Sequence, residues 1–113
     1  MITEGGKAKV RNLVSGDFTV MKIGNGGDST NPNAVDLDSP IASVTTTNTT
    51  TGQSAIDFKG TFSGSAISGQ TIKEVGIFNT DGTPVMLGRI NFNDIGPFTS
   101  TDSIDIVVTM EIE

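Results

Sequence analysis

The chain reads as a mainly β protein: an antiparallel β-sandwich or open barrel preceded by a short N-terminal helix. Three observations predict this. Polarity comes from Thr, Ser, Asn and Gly, with 18% of residues charged and 35% hydrophobic. Such a composition suits pleated, half-exposed faces, where β-branched Thr packs well. Two stretches in the second half alternate apolar and polar residues with a period of two. Turn signals separate the apolar runs at intervals of roughly ten residues, as in sandwiches and barrels. At 113 residues the expectation is one domain, with a helical segment over 1–16 and the sandwich over 17–113.

The elements follow in order. Thr3 to Val14 predicts the helix, with Thr3 as its cap, Lys7, Lys9 and Arg11 outside, and Ala8, Val10, Leu13 and Val14 turned partly inward. Ser15-Gly16-Asp17 ends it. Phe18 to Ile23 is rich in strand formers, and Gly24 to Ser29 is a glycine-dense loop. Thr30 to Ser43 is polar, punctuated by Pro32 and Pro40, with Leu37 and Ile41 as anchors. The Thr/Asn tract Val44 to Gly52 reads either as a strand wet on both faces or as a mobile hairpin connection.

Patterning sharpens after residue 55. Ile56, Phe58, Gly60 and Phe62 alternate with Asp57, Lys59 and Thr61. Ser63 to Gly69 is a turn region of small residues. Thr71 to Phe78 resumes as strand, and the slip from Ile72 to Val75 and Ile77 predicts a bulge near Lys73-Glu74, itself read as a surface pair. Asn79-Thr80-Asp81-Gly82 is a tight-hairpin signal, since Asp-Gly tolerates left-handed angles. Its partner strand is expected over Thr83 to Phe92, with Pro84 at the start. In the last strand Ile104, Ile106, Val108, Met110 and Ile112 share one face.

Absences narrow the chemistry. The chain has no His, Cys, Trp or Tyr, which removes imidazole and thiolate nucleophiles and metal ligands, disulfides and haem ligation. No cofactor is expected, and enzymes rank last. Seven Lys+Arg against thirteen Asp+Glu give a net charge of −6, so a phosphate backbone is repelled and nucleic acid is not an expected partner. No apolar run approaches a membrane span or an export signal. The glycine loop Gly24 to Thr30 resembles a phosphate cradle, but Asp28 stands where a P-loop needs Lys, and a strand-exit loop is the plainer reading. Asp28, Asn31, Asn33, Asp36 and Asp38 offer hard oxygen ligands. Asp28, Asp36 and Asp38 are therefore Ca²⁺ candidates, set against the reading of a solvated acidic loop.

Three stretches, taken in order, carry a likeness to a known group. The first is the helical start followed by Met21-Lys22-Ile23-Gly24-Asn25-Gly26-Gly27 and Leu37-Asp38-Ser39-Pro40-Ile41. The second is Ile72-Lys73-Glu74-Val75-Gly76-Ile77-Phe78-Asn79, Asp81-Gly82 and Met86 to Phe92, and the third is Asp102 to Ile112. Together they resemble the small β-rich virion proteins of tailed bacteriophages, which include tail-fibre and tail-collar N-terminal domains. The resemblance implies a non-enzymatic structural component of the tail, as a fibre, baseplate or collar adaptor. It would be made in the host cytoplasm without a signal peptide and located in the virion. Its partners would be other virion proteins and its own copies, as a homo-trimer or six-fold ring. The alternatives are a host-surface or carbohydrate-binding module, and capsid or neck decoration. Interface candidates are Val44, Thr46, Asn48 and Thr50, where an exposed strand edge offers unpaired backbone groups, together with Phe98, Met110 and Ile2.

Overall fold

A computed structural model describes residues 1–27 and 32–113. The chain runs α1 (Glu4–Asp17), β1 (Phe18–Gly24), β2 (Pro40–Thr45), β3 (Thr47–Thr51), β4 (Ala55–Ser63), α2 (Gly64–Ile67), β5 (Ile72–Asn79), β6 (Met86–Ile95) and β7 (Ser103–Glu111). Among the described residues, seven strands form two antiparallel sheets of order β2-β1-β5-β6 and β3-β4-β7. Met21, Ile23, Ile56, Phe58, Phe62, Ile72, Val75 and Ile77 make the core between them. The mainly β sandwich with an N-terminal helix is the architecture the composition and patterning predict.

The Thr/Asn tract is strand and not a loose connection, and β3 is wet on both faces except at Asn48, which is half-buried. It passes from one sheet to the other: β2 pairs with β1, the chain turns at Thr46, and β3 pairs with β4. The corner is tied by Thr46 N–H to Thr19 O (2.8 Å). Inside, Gly60 lets β4 come against β1 and β2, since a Cβ there would lie 2.7 Å from Met21 Sδ and 3.1 Å from a Val44 methyl. The sandwich is thus closed along the β2/β3 side by continuous chain.

Helix α1 starts where expected, with Thr3 Oγ1 accepting from Gly6 N–H at 3.0 Å. Its inward face is not the expected one. Arg11 is buried at 7% exposure, whereas Leu13 is 62% exposed and Val10 is exposed as well. The reason lies in the surface α1 meets. Arg11 spans to the β3–β4 turn and donates to Gly52 O, while Val14 and Phe18 pack on the core. Arg11 thus takes the face toward the sandwich by bonding the Gly52 carbonyl, and Leu13, two positions on, is turned away from it.

Three other elements depart from expectation. The small-residue stretch after β4 forms α2, whose Ile67 is fully buried. The β5–β6 hairpin is not closed tightly at Asp81-Gly82, and Gly82 does not take a positive φ. Pro84 has no N–H, so Val85 is the first residue after it that can donate. Val85 donates to Asn79 Oδ1 at 2.7 Å, and its carbonyl accepts from Asn79 N–H at 3.1 Å. As a result β6 starts at Met86 and extends to Ile95. The irregularity near Lys73-Glu74 is present, as a register shift between Ile72 and Glu74.

Candidate functional site

That shift has a consequence for β5. Ile72, Val75 and Ile77 face the core, and Glu74, Gly76 and Phe78 face the opposite side of the four-stranded sheet, where Gly26, Leu37, Asp38 and Ser39 cover them. Leu37 lies over Gly76 and Phe78: a Cβ on Gly76 would lie 3.0 Å from Leu37 Cδ2 and 2.9 Å from the Phe78 ring. Lys22 Nζ sits 4.4 Å from the centre of that ring and bonds Asp36 Oδ1 at 3.1 Å. Arg89 reaches Asp38 Oδ1 at 3.3 Å.

Glu74 is fully buried at the centre of this layer. Its Oε2 accepts from Gly26 N–H (2.8 Å) and Ser39 N–H (2.9 Å), and its Oε1 from Asp38 N–H (3.0 Å). The reading of Lys73-Glu74 as a surface pair is overturned: Lys73 pairs with Asp94 at 3.8 Å, while Glu74 occupies a nest of backbone donors. Gly24 and Gly26 are glycines because a Cβ at either position would run into the Glu74 carboxylate. From the glycine loop Gly26 supplies one of the three donors, and Asp38 and Ser39 supply the other two.

The Ca²⁺ candidates divide. Asp28 lies outside the described residues. Asp36 and Asp38 are held by Lys22 and Arg89, and among the described residues no group of three or more acidic side chains is placed to hold a metal ion. Among the interface candidates, Val44, Phe98 and Met110 pack partly buried against the core. Thr46 Oγ1 bonds Asn48 Oδ1 at 2.6 Å, and Asn48 Nδ2 donates to Ser15 O (2.8 Å) and Phe18 O (2.9 Å), fastening α1 to β3. Thr50 and Ile2 are exposed.

The surface that stands out lies elsewhere, on the side opposite the β2/β3 corner. There, among the described residues, β6 pairs only with β5, and β7 only with β4. The sheets contain four and three strands, and they do not meet along this side. Ile90 pairs with the core residue Val75 and Ile95 with the core residue Ile72, so both point inward, yet they are 48% and 43% exposed. A groove of about 540 Å³ runs between β6 and β7, lined by Ile90, Phe92 and Ile95 on one wall and Ile104, Ile106 and Val108 on the other. Asp105 and Val107, on the outer face of β7, also line it, so the groove wraps around the free edge of that strand. The alternation in Ser103–Glu111 predicts an inward face, but periodicity does not reveal which strand ends a sheet. No helix among the described residues is long and apolar enough to cross a membrane. No protein-family model matches the chain, and no curated protein matches it.

Proposed function

We propose that the chain is a non-enzymatic structural component of a tailed-phage virion, a fibre, baseplate or collar adaptor that works by self-association and by docking onto neighbouring virion proteins. The observation that most supports the docking onto neighbouring proteins is the open side of the sandwich. Two strand edges and an apolar groove are left uncovered together, and proteins that function alone normally blunt or cover such edges. The virion assignment rests on the resemblance of the three sequence stretches, in their order, to tail proteins of tailed bacteriophages. A net charge of −6 fits protein partners better than nucleic acid.

Two measurements test the reading. The native mass of the purified chain is expected at three or six times 11.7 kDa, unchanged by chelator; a monomer refutes the self-association. Immuno-electron microscopy of phage particles released from cells carrying the gene is expected to label the tail. Particles free of the protein refute the virion role.

A further inference from the structure

We infer that the groove between β6 and β7 is a receptor for a single extended strand of a partner protein, apolar at alternate positions and basic between them. The inference deepens the docking role proposed above by naming the chemistry of what docks.

The strand count carries it. Gly60 brings β4 under β1 and β2, and a second cavity, lined by Phe58, Val108 and Met110 below and by Val75, Ile77 and Leu87 above, sets β7 under β5 and the near side of β6. The three-stranded sheet then ends, and β6 overhangs with its inward residues Ile90 and Ile95 half exposed. One further strand, hydrogen-bonded to β7, fits under β6 and completes a four-on-four sandwich. The free edge is ready for it: β7 runs nine residues in unbroken register with β4, without bulge, Pro, Gly or Lys. These are the devices that ordinarily stop an edge from pairing. Nine residues of added strand span about 30 Å, and its inward side chains would meet Ile90, Phe92 and Ile95 from β6 while its backbone pairs with β7.

The same geometry argues against a second copy of this chain. Antiparallel pairing of β7 with its own symmetry mate uses a two-fold axis normal to the sheet. That axis keeps both four-stranded sheets on the same side, so the two overhanging β6 strands would occupy the same space. Any occupant that brings its own covering sheet meets this obstacle; a lone strand does not. Charge sets its polar positions. Of the charges on the two strands flanking the groove, Asp94 is paired with Lys73, Asp105 with Lys59 and Arg89 with Asp38, which leaves Glu111 as the acid with no ion pair among the described residues. The chain as a whole is −6, so a basic strand is drawn in.

The test uses the whole chain and the acetylated, amidated peptide KVTIKVTIK, with KVPIKVPIK as the control that cannot donate at its third and seventh positions. Titration is followed by calorimetry and by the amide spectrum of the labelled protein. The expected result is saturable binding below about 1 mM, with new exchange protection at β7 amides that point away from β4. Binding should be at least tenfold weaker for KVPIKVPIK and for the Ile90→Lys variant. Ile90 is half exposed, so this variant folds, as its amide spectrum will show. Absence of binding overturns the inference, as does binding that Ile90→Lys leaves unchanged or that protects amides elsewhere. A dimer of the free chain that Ile90→Lys dissolves overturns it too, because it gives the groove to a second copy. These failures leave the virion role standing, since that role falls only if particles lack the protein.

Discussion

Replacing Glu74 with Gln separates the buried nest from an ordinary surface acid. Glutamine keeps the shape and one oxygen. Turned so that this oxygen replaces Oε2, it still accepts from Gly26 and Ser39 N–H, but its NH₂ then faces Asp38 N–H, which has lost its acceptor. Hydrogen bonds to a charged group contribute about 1.5–3 kcal/mol each, so one is lost outright and two are weakened. Removing the charge recovers part of its desolvation cost. The net expectation is a loss of about 2–4 kcal/mol, which for a domain of this size lowers Tm by roughly 8–17 °C. Urea and thermal unfolding followed by circular dichroism give the stability, and the amide resonances of Gly26, Asp38 and Ser39 show whether the loop stays on the sheet. A change below about 0.5 kcal/mol with those resonances unmoved would refute the nest, since surface substitutions fall in that range.

Other substitutions test neighbouring parts of the account. Gly26→Ala drives a methyl into the Glu74 carboxylate and to 2.8 Å from Ser39 N, and should destabilise by about 1–3 kcal/mol. Gly82→Ala, with open space around it and no positive φ, should be neutral by the same unfolding assay. Asn48→Ala leaves two backbone carbonyls without their donor; about 1–3 kcal/mol should be lost, with faster proteolysis at the α1–β1 junction. Leu13→Ser should change stability by no more than about 0.5 kcal/mol in urea unfolding, because Leu13 faces outward on α1. Phe58→Ala empties a fully buried site and should cost about 3–5 kcal/mol.

The sequence made the repeating parts of the fold readable and hid those set by long-range contact. Period-two alternation marks Ile56 to Phe62 and Ile104 to Met110 because each strand has one face in the core. Thr3 announces its helix because a cap is a local bond. By contrast, Arg11 is buried by a carbonyl 41 residues away, and Glu74 by donors 35 to 48 residues away. No window of neighbouring residues contains either partner. Asn48 sits in a tract that looks uniformly wet, and only the helix end brought beside it supplies the carbonyls it binds. The groove was hidden for a related reason. Alternation says that Ile106 faces a core, but strand order decides whether anything covers the edge beside it. Composition marks the glycine loop as a strand exit; that its Gly26 N–H meets an internal carboxylate depends on the register shift in β5.

The account rests on β7 being an edge with no strand beyond it, and residue-resolved amide exchange of the free protein along Ser103–Glu111 tests this most directly. In an antiparallel edge strand every second N–H points to its neighbour and the rest point outward. The account predicts alternating protection along β7, slow where the amide faces β4 and fast where it faces the groove, beside slow exchange through the centre of β4. Uniformly slow exchange along β7 would contradict it, because the edge would then already be covered in the isolated protein.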